Sequence, residues 1–83
     1  MKILPFKMRV NPEQSAKVQE ILFKNGYQWR DLTMNVFLCK WLILRKFKDF
    51  GEPKLTYSNN LMDYFYHTEP ELTYDQFIKL YDK

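Results

Sequence analysis

The segment from Asn11 to Trp29 constrains this chain more than any other. It holds a helix start, an amphipathic body, a glycine stop and an aromatic strand in unbroken order. Asn11 is a favoured N-cap, and Pro12 follows at the first helical position, where its preset φ fits and its missing N–H would have no partner anyway. Val18, Ile21, Leu22 and Asn25 recur at helical spacing, while Glu13–Lys17 and Glu20–Lys24 are paired at i,i+4 on the solvent side. Gly26 stands where a helix end takes its left-handed residue. The spacing predicts a helix over 12–25, and Tyr27, Gln28 and Trp29 then resume the alternation of a short strand. Near the C-terminus, Thr73 and Gln76 form a capping box ahead of Phe77, Ile78, Leu80 and Tyr81, so a closing helix is expected over 73–82.

The remainder reads as sheet. Leu4, Phe6, Met8 and Val10 alternate with Lys7 and Arg9, the pattern of a half-buried strand. From Val36 to Phe47 both faces are apolar, and the β-branched and aromatic content favours a strand over a helix. The turn residues from Lys48 to Pro53 join it to a return strand over 54–58. Residues 61–67 read as a helical turn carrying Tyr64 and Phe65. The expectation is a single α+β domain over 1–83: an antiparallel sheet of three to five strands, with two helices (about 12–25 and 73–82) packed on one face. At 83 residues such a domain buries roughly 60% of its unfolded surface, so its core must be dense. The aromatic content of 18% serves that need and leaves rings over for a surface or a contact.

The inventory for catalysis is thin. His67 is the only histidine, in an acidic stretch, and nothing in its spacing from the lone Cys39 pairs the two as nucleophile and base. Cys39, flanked by apolar residues, reads as a small buried hydrophobe, and a single cysteine allows no internal disulfide. Two glycines cannot build a phosphate-cradling loop, and no metal-ligand spacing is present. No enzyme activity, cofactor or metal is expected. The longest nearly apolar run, Val36 to Leu44, is too short to span a bilayer and the N-terminus too short for a signal peptide, which points to a soluble protein of the cytoplasm.

Two surfaces are candidates for binding. The net charge of +3 is uneven: residues 36–58 carry five basic groups against two acidic. Lys40, Trp41, Arg45, Lys46 and Lys48 would set cations beside a ring on one hairpin, a combination suited to nucleotides or single-stranded nucleic acid. The commoner arrangement buries Trp41 and Ile43 and leaves the cations solvated. The second candidate is Tyr57 with Tyr64, Phe65 and Tyr66. Three adjacent rings cannot all point inward from one element, and exposed rings mark the energetic centres of interfaces.

The ordered set Arg9-Val10-Asn11-Pro12-Glu13-Gln14-Ser15, Val18-Gln19, Leu22-Phe23, Gly26-Tyr27, Trp29 and, much later, Leu72-Thr73-Tyr74-Asp75-Gln76-Phe77-Ile78 resembles a group of small phage-encoded proteins. Their pattern is V-T-P-E-Q-S-x-x-V-Q-x-x-x-F-x-x-G-Y-x-W followed by I-T-Y-x-x-F, with Asn11 here replacing Thr at the cap. The resemblance covers both ends of the chain and implies a setting, phage infection of a bacterium, without assigning site residues. It implies an accessory protein acting by binding in the host cytoplasm, countering a host defence by occluding a host protein or sequestering a nucleotide signal. The alternative is a small nucleic-acid-binding protein built on the basic hairpin, and a third reading uses the exposed rings for a homo-oligomer.

Overall fold

The computed structural model describes residues 2–31 and 39–82. Three strands, β1 (Phe6–Arg9), β2 (Trp41–Arg45) and β3 (Lys54–Ser58), form an antiparallel sheet in the order β1-β2-β3. Phe6, Leu44 and Leu55 make one cross-strand row, and Met8, Leu42 and Tyr57 another on the same face. The alternate rows, Lys7–Ile43–Thr56 and Arg9–Trp41–Ser58, belong to the opposite face because strand side chains alternate.

Each edge is extended by a single parallel bridge. Beside β3, the Leu55 N–H donates to the Gln28 carbonyl (2.8 Å) and the Arg30 N–H to the Leu55 carbonyl (3.0 Å). Beside β1, the Lys7 N–H donates to the Pro70 carbonyl (2.9 Å) and the Leu72 N–H to the Lys7 carbonyl (3.0 Å). The aromatic segment 27–29, expected as a short strand, forms one bridge at Trp29 among the described residues in place of a regular strand.

Helix α1 (Pro12–Lys24) starts as its punctuation requires: Asn11 Oδ1 accepts from the Gln14 N–H at 2.7 Å, and Gln14 Oε1 returns the bond to the Asn11 N–H at 3.2 Å. It ends at Gly26, whose φ of 90° is the one positive value among the described residues. The closing helix (Tyr74–Tyr81) has the same reciprocal box between Thr73 and Gln76. Both helices bury their apolar stripes with the Phe6 face of the sheet. Val18, Ile21 and Leu22 join Phe6, Met8, Leu42, Leu44, Leu55 and Phe77 in one core, with the Phe6 and Phe77 rings 5.3 Å apart. Tyr27 ties down the N-terminal segment: its Oη accepts from the Ile3 N–H (2.8 Å) and donates to the Ile3 carbonyl (3.2 Å).

Between β3 and the closing helix lies a further helix, Leu61–Tyr66, where only a helical turn was expected. In chain order it is α2 and the closing helix is α3. Its N-cap Asn60 accepts from the Met62 N–H at 2.8 Å. Tyr64, its one buried residue, stacks 5.9 Å from Trp41 and under Lys7, so α2 covers the sheet face opposite α1 and α3.

Other expectations shift in detail. The long strand over 36–47 is regular only over Trp41–Arg45, and its first residues, 36–38, lie outside the described residues. A bend at Lys40 breaks the alternation, so Cys39 belongs to the α1 side, its Sγ 3.7 Å from Ser15 Oγ, while Trp41 faces the other way. Pro5 breaks the N-terminal alternation: Ile3 is buried and Leu4 is exposed. Lys17 makes its ion pair with Asp82 (3.8 Å) in place of Glu13.

The two ends of α1 give separable expectations in urea unfolding. Asn11→Ala should cost about 1 kcal/mol through the lost cap. A Cβ at position 26 meets nothing within 4 Å, so Gly26→Ala should cost about 1–2 kcal/mol from the positive φ alone. A neutral Gly26→Ala would contradict the left-handed helix stop.

Candidate functional site

The sheet distributes the sequence-predicted residues over three places. Lys40 and Trp41 lie at one end of β2, beside Arg9 and Ser58. Lys40 is exposed and is fixed through its backbone, its N–H donating to Asn59 Oδ1 (3.1 Å) and its carbonyl accepting from Val10 (2.9 Å). Arg45, Lys46 and Lys48 lie at the other end, four residues or more along an extended chain, or about 13 Å away. Tyr57 is on the α1 face, edge-on to Trp29 with centroids 6.0 Å apart, and the sheet separates it from Tyr64 and Tyr66.

Tyr64 is completely buried and presents no surface to a ligand. It is the seat of α2. Lys7 Nζ lies 4.5 Å from the Tyr64 ring centre and donates to the carbonyls of Tyr64 (3.3 Å) and His67 (3.0 Å), so one ammonium neutralises the C-terminal end of α2 while holding it to β1. Arg9 lies 5.9 Å from the same ring. Burial, and then the Glu71 carboxylate beside it, push the Tyr64 phenol up to about 12, against a smaller pull from Arg9. Trp41 Nε1 is buried beside this ring with no hydrogen-bond partner among the described residues.

The other residues of α2 face outward. Met62 is 62% exposed, Phe65 58% and Tyr66 78%, with Leu61 at 43%. Four large apolar side chains on six residues is a concentration that an isolated surface hydrophobe would not explain. The hollow between Met62, Phe65 and Tyr66 measures about 190 Å³. Sequence reasoning located Tyr66 and Phe65 but missed Leu61 and Met62, because a stretch without regular periodicity gave no register for α2.

At the far end of β2, two phenyl rings organise the cations. Phe47 and Phe50 meet edge to face at 6.5 Å; Arg30 lies 4.5 Å and Arg45 5.9 Å from the Phe47 ring, and Lys54 5.2 Å from that of Phe50. Arg45 also donates through Nη1 to His67 Nδ1 at 2.8 Å. A guanidinium can only donate, so Nδ1 accepts and the ring proton sits on Nε2. Arg30 and Lys54 were not singled out in the sequence, since only pairing across the sheet brings them to Arg45.

Cys39 is buried, and that burial pushes its thiol up, away from the thiolate a nucleophile needs. It sits with α1 while His67 sits with Arg45 on the other side of the sheet. Among the described residues no group of His, Cys, Asp and Glu is placed to hold a metal ion, and no helix is long and apolar enough to cross a membrane. Comparison with protein-family models, with curated proteins and with solved structures finds no match.

The Tyr64 environment sets an alkaline limit. The folded phenol titrates above its ordinary value of about 10, so the folded state holds a proton that the unfolded chain releases. Stability from this group is complete below pH 10 and falls as pH rises towards 12. Ultraviolet titration should show one tyrosine ionising later than the rest, and Tyr64→Phe should remove that late step. Loss of a step at ordinary pH instead would contradict the buried placement.

Proposed function

We propose that this protein acts by binding and not by catalysis, as a phage accessory protein that counters a host defence by occluding a host protein. The observation that carries the reading is the outward face of α2, where Leu61, Met62, Phe65 and Tyr66 are exposed together on a helix fastened from beneath by Tyr64. Exposed aromatic rings beside a conformationally adaptable methionine are the composition of an interface centre. The size of the hollow favours a macromolecule over a small ligand. At about 190 Å³ it falls below the roughly 300–1,000 Å³ of small-molecule pockets, whereas a flat apolar patch suits a protein surface.

The surrounding charges suggest the partner's chemistry. Asp63, an exposed acid on α2 itself, fits a partner that presents an apolar depression with a cation at its rim. The phage setting comes from the resemblance of the Arg9–Trp29 and Leu72–Ile78 motifs.

The test uses a phage that lacks this gene, grown on a bacterium carrying the defence. Wild-type protein supplied in trans should restore plaque formation and co-purify with a host protein. The Phe65→Ala/Tyr66→Ala variant, with unchanged circular dichroism, should do neither. A variant that retains both activities would refute the role of α2, as would light scattering that shows the patch already covered in a homodimer. Depletion of a nucleotide signal without a protein partner would favour sequestration over occlusion.

A further inference from the structure

A second site is written in the charges around the β2–β3 turn, on residues distinct from the outward face of α2. Arg45 and Lys54 are direct cross-strand partners, so two cations stand side by side on neighbouring strands where like charges repel. Arg30, on the ribbon that pairs beyond β3, brings a third cation to the same pair of rings. Among the described residues, neither Arg45 nor Lys54 has a carboxylate within 4.0 Å, and Arg30 has only the exposed Asp31 at 3.9 Å. Asp49 and Glu52 lie in the turn itself, yet pair with none of the three.

The arrangement is built and not merely solvated. Each of the three cations lies against a phenyl face, and Arg45 is further fixed by His67. Holding these groups in place lowers the entropy a ligand must supply on binding. The Glu69 carboxylate, 3.5 Å from the same His67 Nδ1, offsets part of the Arg45 charge, and the repulsion that remains among the three cations favours an anion. Exposed Lys48 adds charge at the turn. Lys46 alternates to the other side of the strand, where with Lys2 it lines a separate cleft of about 350 Å³. Lys40 and Trp41, at the far end of β2, take no part.

We propose that Arg30, Arg45 and Lys54 form a phosphate-binding site that takes successive phosphates of a nucleic-acid backbone. A guanidinium grips a phosphate through paired N–H donors and a lysine as a point charge, so two arginines and a lysine suit a chain of phosphates better than a lone carboxylate. Contacts of this kind carry no base sequence, so binding should be indifferent to it.

The test is fluorescence anisotropy with a labelled single-stranded oligonucleotide, repeated with a nucleoside triphosphate as competitor. The site predicts binding whose logarithm falls linearly with log salt, with a slope that lessens by about 0.7 for each phosphate contact removed. Arg30→Gln and Lys54→Gln should each reduce affinity and slope, while Lys17→Gln, which removes the same charge beside Asp82, should change neither. Lys54→Glu is the sharpest variant: it places a carboxylate opposite Arg45 and should raise the unfolding midpoint while abolishing binding. Displacement by triphosphate at equal phosphate concentration would assign the same site to a free nucleotide. Absence of binding to both ligands, or binding insensitive to Arg30 and Lys54, would overturn the proposal, whatever becomes of α2 and its partner.

Discussion

The burial of Tyr64 against β2 is the contact on which the rest of the molecule depends. Leu42, Ile43 and Leu44 are consecutive and all fully buried, so the central strand has apolar groups on both faces and both must be covered. Helices α1 and α3 cover one face with two apolar stripes. The other is left to a six-residue helix, which can turn only one side chain fully inward. A phenol is large enough to do this; burying its ring contributes about 1.5–3 kcal/mol, reduced by the cost of a hydroxyl that is buried with no hydrogen-bond partner among the described residues. Lys7 adds a cation over the ring and two bonds to carbonyls at the end of the helix.

The same economy produces the exposed surface. With Tyr64 turned inward, Leu61, Met62, Phe65 and Tyr66 fall together on the outward arc of the helix and stand largely in solvent. The apolar patch is thus the geometric counterpart of the seal beneath it. The cations obey a related logic. The sheet face that α2 covers is the one on which Lys7, Arg9, Arg45 and Lys54 stand; the short helix reaches the first two through Tyr64 and Arg45 through its C-cap His67. Beyond that, Arg45 and Lys54 lie against the phenyl rings of the turn.

Where the chain encodes structure through local chemistry, its sequence was legible. The cap at Asn11, the stop at Gly26 and the box at Thr73 each satisfy backbone groups within a few residues, and all three stand where the spacing placed them. Long-range pairing was harder. Nothing near Arg30 or Lys54 reveals that they meet at Phe47 and Phe50, and nothing near Tyr57 reveals that it faces away from Tyr64. The bend at Lys40 divided a run of apolar residues that periodicity treated as continuous. The aromatic cluster was read correctly as a set unable to point one way, but which ring turned inward depended on a helix register that six residues do not betray.

The most direct test of this account is a nuclear Overhauser spectrum of the folded protein. With centroids 5.9 Å apart, the Tyr64 and Trp41 rings should show strong mutual cross-peaks, accompanied by contacts from Tyr64 to the Lys7 side chain, while the Tyr66 ring shows none to the core. A Tyr64 ring without contacts to Trp41, or a Tyr66 ring with contacts to Ile43, would contradict it: α2 would then be seated differently, and its outward face would not be the one described.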